Sequence, residues 1–87
     1  MKFSNPDTYT KMFNVYSGGT TLSGYTMPNH RAIFIYAGAA NTTGITFQNF
    51  DGTTGNLYGN TGSTLLPVNI SKIWVNQDAN LKISGLL

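Results

Sequence analysis

Cysteine is absent from this 87-residue chain, and charge is scarce. Without cysteine there is no disulfide staple and no thiolate metal site. The single histidine, His30, cannot build a zinc cluster by itself. Charged residues make up 9% of the chain, far below the roughly 25% of ordinary soluble domains. Ala, Glu, Leu and Lys are sparse, which removes the usual material of helices. No run approaches the roughly 20 apolar residues of a membrane helix, and residues 1–7 lack an apolar stretch of signal-peptide length. The expectation is a protein made in a host cytoplasm, with no membrane partner.

Few groups are available for chemistry. The three carboxylates, Asp7, Asp51 and Asp78, are scattered and unpaired. A glycosidase needs two carboxylates flanking one bond, so these read as turn formers. No G-x-S-x-G elbow accompanies His30, which reads as a polar residue where a strand begins and as a subunit contact before a catalyst. The segment from Asp51 to Asn56 offers oxygen ligands but lacks the terminal acid of a calcium loop. Gly18-Gly19 and Gly59 to Gly62 precede no lysine or helix, so they form no phosphate loop. Asn41-Thr42-Thr43 and Asn69-Ile70-Ser71 match the glycosylation sequon by composition alone. The net charge of +2 rests on scattered Lys2, Lys11, Arg31, Lys72 and Lys82, which do not form a nucleic-acid footprint. The expectations are no enzyme, no cofactor, no metal and no nucleic acid.

What is present is β-forming material. Arg31-Ala32-Ile33-Phe34-Ile35-Tyr36, Ile45-Thr46-Phe47-Gln48-Asn49-Phe50 and Val68-Asn69-Ile70-Ser71-Lys72-Ile73-Trp74-Val75 are rich in β-branched and aromatic residues. Gly, Asn, Thr and Ser lie between them, and Ser, Thr and Asn form about a third of the chain. Turn signals recur at the spacing of a sandwich or barrel. The pattern predicts an all-β fold, a small antiparallel β-sandwich or barrel of about six to eight short strands with an extended N-terminal arm. Residues 1–19 are read as that arm or as an edge strand, and residues 20–87 as one sandwich domain.

Individual segments carry sharper expectations. Residues 31–37 place Ile33 and Ile35 on one face and Phe34 and Tyr36 on the other. Apolar groups on both faces call for cover on both sides, by a second sheet or a neighbouring subunit. In residues 44–50, Ile45 and Phe47 point inward and Thr46 and Gln48 outward. Asp51-Gly52 suits a tight hairpin, followed by a short strand at Asn56-Leu57-Tyr58. Residues 63–75 read as one long extended segment. Leu66, Val68 and Ile70 share a parity that Ile73 and Val75 do not, and a bulge near Ser71-Lys72 would reconcile them. Residues 81–87 form the last strand.

A chain this small buries only about 60% of its unfolded surface, and without disulfide or metal its remaining staple is assembly. Met12, Phe13, Tyr16, Phe34, Tyr36 and Trp74 are the candidate packing or interface anchors, and Arg31 is the best polar anchor. The tyrosines with Trp74 also make a candidate sugar-stacking platform.

The stretch Arg31-Ala32-Ile33-Phe34-Ile35-Tyr36, then Ile45-Thr46-Phe47, then Leu65-Leu66-Pro67-Val68-Asn69-Ile70-Ser71-Lys72-Ile73 resembles small tailed-phage virion proteins of the head-spike base type, including those of gene transfer agents. The resemblance spans roughly residues 20 to 87. The hairpin across residues 50–62 is longer than the family pattern, and residues 1–16 have no counterpart. The resemblance implies a non-enzymatic β-sandwich in the virion, a capsid decoration or head-spike base module. It would bind the major capsid protein or other virion proteins as a symmetric homo-oligomer. The alternative is a carbohydrate-binding module of a phage fibre or spike.

Overall fold

The chain folds in half and then wraps over itself. The computed structural model describes residues 9–38, 44–57, 61–77 and 79–87. Among these are eight strands: β1 (Met12–Tyr16), β2 (Leu22–Thr26), β3 (Ala32–Ala37), β4 (Ile45–Gln48), β5 (Thr54–Leu57), β6 (Gly62–Leu66), β7 (Lys72–Val75) and β8 (Leu81–Leu86). β1 pairs with β8, β2 with β7, β3 with β6 and β4 with β5, all antiparallel, as in one long folded ribbon. The ribbon then closes on itself by pairing β3 with β8 and β4 with β7. Two four-stranded sheets result, β1-β8-β3-β6 and β2-β7-β4-β5. This is the strand order of a jelly roll, a double-sheet β-sandwich.

Side-chain alternation explains which residues meet between the sheets. Ile33, Ile35 and Ala37 of β3 stand opposite Gly85, Ile83 and Leu81 of β8, and these face the core. Ile45 of β4 with Ile73 and Val75 of β7 answers them from the second sheet. In β1 a bulge after Asn14 breaks the alternation. It turns two consecutive side chains, Val15 and Tyr16, into the core. Tyr16 keeps its hydroxyl satisfied by donating to the Thr20 carbonyl. Beyond β1, Leu87 exchanges backbone bonds with Lys11, so the edge ladder continues past the strand.

The structure corrects the long strand expected over residues 63–75. β6 lies in the first sheet and β7 in the second, with residues 67–71 crossing between them. Pro67 ends β6, and the Val68 N–H turns back to the Leu66 carbonyl at 2.8 Å. The parity change between Leu66 and Ile73 therefore marks a change of sheet rather than a bulge.

The Asp51-Gly52 hairpin is a longer turn than the tight one expected. Asn49 N–H donates to the Thr53 carbonyl at 2.8 Å, and Gly52 N–H to the Asn49 carbonyl at 3.0 Å. Gly52 takes a φ of 90°, which a side chain would strain. The expectations at Asp7, Tyr58, Asp78 and the Asn41-Thr42-Thr43 sequon, and the arm over residues 1–8, lie outside the described residues.

Candidate functional site

The register of the first sheet assembles its outer face row by row, because directly paired residues point to the same side. Met12, Leu86 and Ala32 form one row. Asn14, Ser84, Phe34 and Leu65 form the next, and Lys82, Tyr36 and Ser63 the third. Met12 is 61% exposed, Tyr36 46% and Leu65 40%, with Phe34 half-buried between them. Phe34, Tyr36 and Leu65 thus group on β3 and edge strand β6, while Met12 stands apart on edge strand β1, with Leu86 and Ala32 of its own row buried and Asn14 and Ser84 of the next row polar. Lys82 is the one charged residue in these rows. Just before β3, the Arg31 guanidinium stacks 5.1 Å from the centre of the Tyr9 ring, beside the Met12 end of this face.

The outer face of the second sheet is of another kind. Its rows pair Asn56, Thr46 and Trp74, then Thr54, Gln48 and Lys72. The Thr46 hydroxyl donates to Asn56 Oδ1 at 2.9 Å, so these polar groups already satisfy one another. Trp74 is half-buried, with its indole lying against Gly24 of β2.

The sequence-derived anchors divide accordingly. Met12, Phe34 and Tyr36 converge on the first sheet's outer face, and Arg31 flanks it. Trp74 sits on the opposite side of the sandwich. Phe13 and Tyr16 face inward: Phe13 covers Gly85, and Tyr16 is 2% exposed. Their role is packing within the chain, and the interface expectation does not extend to them. Among the described residues, Tyr36 and Trp74 occupy opposite faces and Tyr16 is interior, so these three share no platform. Leu65 was missed. Its role depends on pairing with Phe34, and nothing local in Leu65-Leu66 says which leucine faces out.

His30 is corrected too. It is 2% exposed and both its ring nitrogens are engaged. Nδ1 donates to the Pro28 carbonyl at 2.7 Å, and Nε2 accepts the Ile70 N–H at 3.1 Å. The ring thus ties the start of β3 to the crossing segment before β7, a clamp between the two sheets rather than a subunit contact. Asp51 sits in the β4–β5 turn. Its Oδ1 accepts the Thr53 hydroxyl at 2.6 Å and the Thr53 N–H at 3.0 Å, which holds its carboxyl below the ordinary value. Among the described residues, no three His, Asp or Glu side chains cluster to hold a metal ion.

No family model, curated protein or solved structure matches this chain.

Proposed function

We propose that this chain is a non-enzymatic structural protein of a tailed-phage virion, a capsid decoration or head-spike base module. It works by packing the outer face of the first sheet against its partners. The observation that carries this reading is the exposure of Tyr36 and Leu65 beside half-buried Phe34, with exposed Met12 on the edge strand of the same face, in a chain with so little charge. The β3 strand has apolar groups on both sides, and the second sheet covers only one of them. The jelly-roll architecture adds support by analogy, since viral capsid and lectin domains use it.

The face is small. Four strands about 4.8 Å apart and about five residues long make a sheet surface of roughly 300–350 Å². A stable interface needs about 800 Å² per partner. Sheet-face contact therefore has to be joined by rim and edge contacts, or multiplied across several copies. A closed ring on a symmetric capsid does both.

The test is co-sedimentation with capsid shells encoded beside its own gene. Saturable binding at a symmetric ratio, lost in Tyr36→Lys, is the expected result. A soluble monomer that ignores such shells contradicts the proposal, and binding on a glycan array instead would replace it with the carbohydrate reading.

A further inference from the structure

The sandwich is filled at one side and hollow at the other. Near β1 and β2 the interior receives Phe13, Val15, Tyr16 and Leu22. Near β5 and β6 the corresponding inward positions are Gly55 and Leu57 on one strand and Gly62, Thr64 and Leu66 on the other. Three of those five residues are too small to reach the middle. A cavity of about 280 Å³ remains there, walled by Ile33 and Leu66 from the first sheet and by Ile45, Phe47 and Leu57 from the second. Ile70 closes its floor from the crossing segment.

We infer that this cavity binds a small uncharged apolar molecule of about ten carbon atoms, since it has nearly twice the ~150 Å³ of an apolar cavity that holds benzene. No ionisable side chain lines it, so a charge placed inside would find no partner. Asn49 and Asn56 are its only polar lining side chains, so water gains little over most of it. Asn49 lies at the rim. Its Nδ2 donates to the Thr53 hydroxyl at 3.1 Å, which leaves its carbonyl oxygen to accept one hydrogen bond. A ligand with a hydroxyl head and an alkyl body matches that arrangement. The site is separate from the outer face of the first sheet, so the inference does not rest on the proposed virion role.

The experiment follows the fluorescence of naphthalene as probe on the whole chain, with 1-decanol as competitor. The unsubstituted protein and Tyr36→Lys should both bind the probe and release it to 1-decanol. Leu57→Phe and Leu66→Phe, which fill the cavity, should weaken binding at least tenfold and raise the melting temperature without ligand. Methyl NMR of the unsubstituted protein gives an independent reading that needs no variant to fold. 1-Decanol should shift the Ile33, Ile45 and Ile73 methyls. No binding, binding lost only in Tyr36→Lys, or shifts confined to Met12 and Leu65 would overturn the inference.

Discussion

The two sheets of this sandwich share a core yet present opposite outer faces. The first offers Met12, Phe34, Tyr36 and Leu65 to its surroundings. The second offers Thr46 bonded to Asn56 and Gln48 bonded to the Gly52 carbonyl, with Trp74 pressed on Gly24. The second face is partly completed within the chain: Thr46, Asn56 and Gln48 have partners, and Trp74 is half covered. On the first face Ala32 and Leu86 are covered, while Met12, Tyr36 and Leu65 stay exposed. A chain with only 9% charged residues thus presents a polar face on one side and a more apolar one on the other. The difference lies in side-chain choice alone, because strand number is equal in the two sheets.

The largest expected effect comes from breaking this contrast. Replacing Tyr36 and Leu65 together with lysine should weaken self-association and capsid binding at least about 30-fold, since one truncated anchor at an interface centre costs about 2 kcal/mol or more and neighbouring anchors do not simply add. Replacing Thr46 and Thr54 with lysine on the other sheet should leave both unchanged. Light scattering at matched concentration reads both variants.

A second substitution separates assembly from folding. His30→Ala removes the clamp between sheets and leaves the Ile70 N–H and the Pro28 carbonyl without a partner. The expected cost is about 2–4 kcal/mol in urea unfolding. The outer face of the first sheet should still associate under conditions where the variant is folded.

The sheets can also be compared through matched glycines. Each sheet lays an inward phenylalanine over a glycine directly opposite, Phe13 over Gly85 and Phe47 over Gly55. A Cβ at Gly55 would meet the Phe47 ring at 2.7 Å, and one at Gly85 would fall still deeper into the ring of Phe13. Gly85→Ala should destabilise by about 1–3 kcal/mol. Gly55→Ala should cost less, because the Phe47 ring can swing toward the cavity. Equal losses would say that the hollow side is as tightly packed as the other.

The smallest effect concerns pH. The Asp51 carboxyl is held below its ordinary value of 3.8, chiefly by the Thr53 hydroxyl and then by the Thr53 N–H. Its contribution is therefore present above about pH 4 and is lost as pH falls through the lowered value. Asp51→Asn should flatten the fall in melting temperature below pH 4. The side chain is fully exposed, so the change should be slight and confined to the β4–β5 turn.

Much of the fold was legible where local alternation decides it. β3 reads directly from Ile33 and Ile35 against Phe34 and Tyr36, and β4 from Ile45 and Phe47 against Thr46 and Gln48. What local pattern cannot carry is pairing at long range. A parity change at Ser71-Lys72 looks the same whether the strand bulges or the chain changes sheets. The inward turn of Tyr16 depends on a bulge opposite β8, almost seventy residues away in sequence. The glycine at 85 looks like a weak point in a strand until Phe13 is seen lying on it. Three of the outer-face residues were visible as apolar groups of the wrong parity for the core. Leu65 was not, because its partner had to be known first.

Sedimentation equilibrium over a wide concentration range, comparing the unsubstituted chain with Tyr36→Lys, bears most directly on the first sheet's outer face. The account expects a discrete symmetric oligomer that becomes monomeric when that one side chain is charged. A monomer at all concentrations, or an oligomer indifferent to Tyr36→Lys, would contradict it.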